Sequence, residues 1–76
     1  MIFKALICGE DDNIERWFYY DNVESAEVYY NKEICENCVQ ITLKTSGEHI
    51  CFGINREAHL CDDNGKIIET VRSCNT

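Results

Sequence analysis

The chain contains no proline and only four glycines, so it lacks the residues that usually form flexible linkers. No linker or second domain is visible, and we interpret residues 1–76 as a single domain. A domain of this length is only marginally stable and has little room for a deep substrate pocket. Glycine-rich phosphate-binding loops and recognisable catalytic triads are also missing. We therefore expect a protein that is not an enzyme.

Long apolar runs are missing as well. The longest ones fall far below the roughly 20 residues that a transmembrane helix needs. The apolar segment Ile2–Cys8 contains Lys4 and is followed by the acidic residues 10–12, which is not the pattern of a secretory signal peptide. Both absences predict a cytoplasmic protein, in which the six cysteines stay reduced or bind metal.

Basic residues are few, since seven Lys and Arg stand against 14 Asp and Glu. The acidic excess is concentrated in residues 10–36, which hold nine acids and two bases and so carry the whole net charge of −7. The remaining residues hold five of each sign. Such a segment repels nucleic acid and attracts basic protein surfaces. The alternative is a solvated face that keeps a small protein soluble.

The hydrophobic pattern is that of short strands. Apolar and polar residues alternate in Val39–Lys44 and again in residues 49–52, which predicts a hairpin. The dipeptide Asn64-Gly65 predicts a second hairpin. Further strands are predicted at Ile2–Cys8, Arg16–Tyr20 and Val23–Tyr30, the last with a bend or bulge at Glu24-Ser25. Five to seven short antiparallel strands predict an all-β meander that curls into a small roll or barrel.

The cysteines and histidines have spacings that suit a metal ion. A C-x-x-C motif offers two thiolates to one Zn²⁺, and two H-x-C pairs follow, each on one face of a strand. The candidate ligands are Cys35, Cys38, His49, Cys51, His59 and Cys61. The alternatives are thiols that pack as small apolar residues, or a disulfide such as Cys35–Cys38. Cys8 and Cys74 would approach each other if the first and last strands pair.

Residues 14–30 contain the only Trp and all four Tyr of the chain. Residues 17–20 are consecutive aromatics, so a strand turns one pair outward, either Trp17 and Tyr19 or the even-numbered pair. Tyr29 faces outward beside Glu27 if the even-numbered residues of Ala26–Tyr30 face the core. Exposed aromatics among carboxylates are typical of protein-binding surfaces. The alternative is a bent strand that uses both of its faces as core.

In size, acidity, lack of proline and short-strand architecture, the chain resembles small proteins encoded by phages and other mobile elements, among them anti-CRISPR and similar counter-defence proteins. The resemblance is one of general character over the whole chain, and no family-specific motif carries it. It implies a cytoplasmic inhibitor that occupies a basic nucleic-acid-binding surface of a partner protein, without binding nucleic acid or membranes itself. The predicted partner-binding residues are Glu10, Asp11, Asp12, Trp17, Tyr19, Asp21, Glu24, Glu27 and Tyr29.

Two other functions fit the same sequence. One is a structural zinc-binding module in a larger assembly, for which the cysteines and histidines supply the ligands. The other is a homo-oligomeric sponge for a small ligand, assembled through edge strands. An anionic ligand would then require Arg16, Arg56 and Arg72 to converge.

Overall fold

The computed structural model of the protein describes residues 1–73. These residues form seven β-strands, so the predicted all-β fold is confirmed. The strands are β1 (Ile2–Cys8), β2 (Glu15–Tyr20), β3 (Val23–Asn31), β4 (Glu36–Leu43), β5 (His49–Gly53), β6 (Glu57–Cys61) and β7 (Ile67–Arg72). Within residues 1–73 there is no helix whose length and apolar character would let it cross a bilayer. Cys74 lies outside the described residues. The first and last strands, whose pairing was the condition for its approach to Cys8, do not pair with each other, because β6 lies between them.

The strands pair in two antiparallel sheets. The four-stranded sheet has the order β2-β1-β6-β7, and the three-stranded sheet has the order β3-β4-β5. Both predicted hairpins are present, as β4–β5 and β6–β7. The link Asp21-Asn22 carries the chain from β2 in one sheet to β3 in the other. The sheets do not close into a barrel, and β2 and β3 are therefore edge strands.

The core lies between the two sheets and follows the alternation of the strands. In β1, Phe3 and Ala5 are fully buried, and the intervening Lys4 is on the other face. Phe52 of β5 joins the sheets, because its ring lies 5.1 Å from the ring of Phe3. The buried cluster consists of Phe3, Ala5, Val23, Val39, Ile41, Leu43, Ile54, Ala58, Leu60 and Val71.

The β6–β7 turn shows why its sequence predicts a hairpin. The Asp62 Oδ1 atom accepts hydrogen bonds from the backbone N–H groups of Asn64 and Lys66, both at 2.9 Å. Gly65 has a φ of 87°, a conformation that side chains with a Cβ rarely adopt. The aspartate and the glycine together fix the reversal of the chain.

Glu24 is an extra residue in β3. Val23 lies opposite Leu43 on β4, but Ser25 lies opposite the adjacent Thr42, so Glu24 has no partner in the ladder. This is the bulge predicted at Glu24-Ser25. It places the even-numbered residues of the rest of β3, from Ala26 onward, opposite the core-facing positions of β4.

Candidate functional site

Trp17 and Tyr19 point away from the core on the edge strand β2, and each is 56% exposed. Phe18 and Tyr20 face the core instead, where their rings lie 5.7 and 5.8 Å from the ring of Phe52. The odd-numbered pair is therefore the outward one. The strand pairing places three further residues on the same outer surface of the four-stranded sheet. We call the surface formed by Trp17, Tyr19, Lys4, Leu6 and His59 the aromatic face.

Neighbouring strands hold the two exposed rings in place. Leu6 lies directly opposite Trp17 on β1. The Trp17 ring reaches past β1 to His59 of β6, with 6.0 Å between the ring centroids. The Lys4 Nζ atom lies 6.0 Å from the centre of the Tyr19 ring, at the outer limit of a cation–π contact. Both rings are thus supported from below and remain accessible from above.

The β1–β2 turn carries the first three predicted acidic residues. The Asp12 carboxylate accepts a hydrogen bond of 3.0 Å from the backbone N–H of Ile14 and forms a 2.7 Å salt bridge with Arg16. The backbone hydrogen bond, followed by the Arg16 guanidinium, holds the pKa of Asp12 below its ordinary value. Glu10 and Asp11 are exposed. The turn leads directly into β2, so these charges lie at one end of the aromatic face.

The other predicted acidic residues lie elsewhere. Asp21 follows the far end of β2, which is about 17 Å from its beginning at the usual rise per residue of a strand. Glu24 is the bulged residue of β3 in the other sheet. Glu27 lies opposite Gln40 on the outer surface of the three-stranded sheet. The predicted acids therefore do not form one patch. Most of them flank β2 at its two ends, whereas Glu24 and Glu27 belong to β3 of the three-stranded sheet.

Tyr29 also lies on the outer surface of the three-stranded sheet, away from Trp17 and Tyr19. Its hydroxyl oxygen is 2.7 Å from the Cys51 Sγ atom. This hydrogen bond, followed by burial, raises the pKa of Tyr29 to about 12. Cys38 lies opposite Tyr29 on β4, and burial raises the pKa of its thiol. Tyr29 thus belongs to a local cluster of one phenol and two thiols, separate from the aromatic face.

The six predicted zinc ligands are divided between the two sheets. His59 and Cys61 lie on β6, whereas the other four lie on or just before β4 and β5. The His49 Nδ1 atom is 3.0 Å from the hydroxyl of Thr42, and the His59 Nε2 atom is 2.8 Å from the Glu57 carboxylate. Among residues 1–73, no three His, Cys, Asp or Glu side chains are grouped so that they could hold a metal ion. Of the cysteines in that range, Cys8, Cys38, Cys51 and Cys61 are free thiols.

A groove lies where β1 and β7 end in the four-stranded sheet. Its volume is about 520 Å³, and it is lined by residues 8–10, Asn55, Arg56, Arg72 and Ser73. Two of the three arginines that an anionic ligand would require are therefore brought together. Arg16 does not line the groove and forms a salt bridge with Asp12.

Sequence reasoning did not identify Lys4, Leu6 and His59 as neighbours of Trp17. The alternation within β1 was a usable signal for Lys4 and Leu6, since both lie between residues that face the core. His59 reaches this surface only through the β1–β6 pairing, which joins residues more than 50 positions apart. No local pattern in the sequence encodes that pairing.

No protein-family model, curated protein or solved structure matches the chain. The class of function has to be inferred from the geometry of its own residues.

Proposed function

We propose that the protein is a non-enzymatic, acidic binding protein of the anti-CRISPR or counter-defence type. It inhibits a basic, nucleic-acid-handling partner in the cytoplasm by occupying the surface on which that partner binds nucleic acid. One observation supports the proposal above all others. Trp17 and Tyr19, each 56% exposed, stand between acidic groups at both ends of β2.

The amount of charge indicates what kind of nucleic acid the protein could replace. The molecule is 31 Å long and carries a net charge of −7. A DNA duplex of that length carries about 18 phosphate charges, and one strand of it carries about 9. The protein therefore matches a single strand far better than a duplex. We propose that the occupied surface is one that normally binds single-stranded nucleic acid.

The rings of Trp17 and Tyr19 can imitate stacked bases, which the carboxylates cannot do. Proteins that bind single strands stack bases on aromatic residues along a positively charged groove. An exposed indole or phenol ring can enter the same positions that the bases use. Trp and Tyr are also the residues that most often dominate protein interfaces, where one anchor contributes about 2 kcal/mol or more. The carboxylates then govern the association rate and its salt dependence more than the final affinity.

The test uses a set of purified cationic proteins that bind single-stranded nucleic acid. Each is assayed for binding to the full chain by biolayer interferometry, over a salt series and with single-stranded DNA as competitor. We expect DNA to displace the protein and the affinity to fall as salt rises. Trp17→Ala should weaken binding at least tenfold, which corresponds to about 1.4 kcal/mol. Tyr30→Ala removes an exposed ring from another strand and serves as the matched control.

A second pair of variants tests the acidic groups. Asp11 and Asp21 lie beyond the two ends of β2, and Glu24 is the bulged residue near the start of β3. Changing all three to Lys raises the net charge from −7 to −1. The control changes Glu27, Glu33 and Glu48 to Lys, which gives the same net charge on other surfaces. The first variant should lose binding and the control should keep most of it. Equal effects of the two, or binding that salt and DNA leave unchanged, would contradict the proposal.

A further inference from the structure

The groove at the end of the four-stranded sheet brings two guanidinium groups together in a protein that is acidic overall. Arg56 lies just before β6 and Arg72 is the last residue of β7. The two strands pair so that Glu57 lies opposite Arg72, and the backbone N–H of Ser73 donates a 2.9 Å hydrogen bond to the carbonyl of Arg56. The positions of both arginines are therefore set by the sheet itself and not by a free loop.

Hydrogen bonds within the protein also fix the opposite wall of the groove. Asn55 holds the end of β1 with two hydrogen bonds. Its Oδ1 atom accepts from the Cys8 N–H at 3.0 Å, and its Nδ2 group donates to the Cys8 carbonyl at 2.9 Å. The Gly9 N–H is likewise occupied, by the carbonyl of Ile14 at 3.0 Å. The Cys8 and Gly9 amides on this wall are thus already bonded within the protein. The charged donors on the lining are the guanidinium groups of Arg56, whose Nη1 group also donates to the Asn55 carbonyl at 3.4 Å, and of Arg72.

Neither arginine is committed to a strong ion pair. The Arg56 Nε atom lies 3.6 Å from a Glu15 carboxylate oxygen, and both side chains are 51% exposed. An exposed pair at that separation contributes little stability. For Arg72, no residue within 1–73 forms a salt bridge with the guanidinium. Both arginines line the groove, and an anion bound there offsets the repulsion between their positive charges.

We propose that this groove binds a phosphate group of a small molecule. Guanidinium groups match the geometry of phosphate oxygens and bind them through paired hydrogen bonds. The volume of about 520 Å³ falls within the usual range for small-molecule sites. Among residues 1–73, the lining includes no aromatic ring on which a nucleobase could stack, so we expect the phosphate to be the part that is recognised. Glu10, on the rim, can accept a hydrogen bond from a hydroxyl group of the attached organic part.

The groove does not include Trp17 or Tyr19 and shares only Glu10 with the predicted partner-binding residues, so loss of phosphate binding can be measured separately from loss of partner binding. The test is an NMR titration of the full, isotope-labelled chain with inorganic phosphate, pyrophosphate and glycerol 3-phosphate. We expect shifts of the backbone signals of Gly9, Arg56 and Ser73 at millimolar concentrations. Arg72→Gln should weaken binding at least tenfold, and Glu10→Gln should strengthen binding of inorganic phosphate by removing a repulsive charge. As a control, Lys44→Gln removes one positive charge just after the end of β4 and should leave phosphate binding unchanged.

The ligands distinguish the possible sources of the phosphate. Tighter binding of glycerol 3-phosphate than of inorganic phosphate identifies a phosphate ester as the ligand class, and the reverse order identifies the free ion. Either order supports the phosphate site if Arg72→Gln abolishes it. Shifts that spread over all basic residues, or equal weakening by Lys44→Gln and Arg72→Gln, would show only nonspecific ion binding and would overturn the proposal.

Discussion

Replacing Phe52 with alanine should weaken the attachment of β2 to the rest of the fold. The Phe52 ring contacts three others, at 5.1 Å from Phe3, 5.7 Å from Phe18 and 5.8 Å from Tyr20. Two of these rings belong to β2, so Phe52 connects the edge strand of one sheet to the core of the other. Truncation of a core Phe to Ala costs about 3–5 kcal/mol. Phe52 is only half-buried, and we therefore expect a loss of about 3 kcal/mol.

A loss of this size is a large part of the total stability. At typical values per residue, a 76-residue domain has a free energy of unfolding of roughly 4–11 kcal/mol. The expected fall in Tm is about 12–24 °C for a chain of this length. Urea unfolding can be followed by far-UV circular dichroism and by the fluorescence of Trp17, which reports on β2 itself. Phe52→Leu keeps most of the apolar volume but removes the ring contacts, and it should cost about 1–1.5 kcal/mol.

The costs of Phe52→Ala and Phe52→Leu together test whether the ring contacts of Phe52 join the two sheets. If Phe52→Ala costs less than about 1 kcal/mol, the three ring contacts do not join the sheets as we describe. If Phe52→Leu costs as much as Phe52→Ala, ring geometry and not buried volume is what matters. As a control, Ile34→Ala removes an exposed apolar side chain from the β3–β4 turn and should change stability by no more than about 0.5 kcal/mol.

Three further predictions concern single residues. Cys51→Ala should lower the pKa of Tyr29 from about 12 towards that of a free phenol, as measured by ultraviolet absorbance titration; an unchanged titration would mean that the thiol is not the cause. Gly65→Ala should cost about 1 kcal/mol in urea unfolding, because φ is 87° while no atom lies close enough to collide with an added Cβ; Gly65→Asn should cost less, and equal costs would contradict the backbone explanation. The pKa of Asp12 is lowered in the folded state, so the ionised carboxylate adds stability above its unfolded pKa, and that stability is lost as pH falls through the folded pKa. Asp12→Asn should therefore lose less stability on acidification than the unmodified protein. Parallel profiles of stability against pH for the two proteins would refute this expectation.

Local sequence signals predicted much of the fold. The alternation in Val39–Lys44 and the Asn64-Gly65 turn predicted the two hairpins, and both are present because each depends on residues that are neighbours in the chain. The bulge at Glu24-Ser25 was visible for a similar reason, since the apolar positions of the segment do not keep a single parity. The predicted number of strands is correct as well.

The order of strands within the sheets was beyond such signals. The pairing of β1 with β6 joins distant segments, and it creates both the aromatic face and the groove. Trp17 and Tyr19 face outward because Phe18 and Tyr20 pack against Phe52, and no local signal in the sequence shows that contact. The predicted acidic residues lie on different surfaces because the chain passes from one sheet to the other within the segment that carries them. The residues before Asp21-Asn22 belong to the four-stranded sheet, and those after it belong to the three-stranded sheet.

The position of β2 at the edge of its sheet has a consequence for the behaviour of the protein at high concentration. Half of the backbone N–H and C=O groups of an edge strand face solvent and can pair with a strand of another molecule. Two copies meeting through β2 in antiparallel orientation would place the turn at residues 10–12 of one beside Asp21 of the other, and like charges would oppose the contact. High salt screens these charges. This screening therefore lowers the barrier to aggregation through this strand.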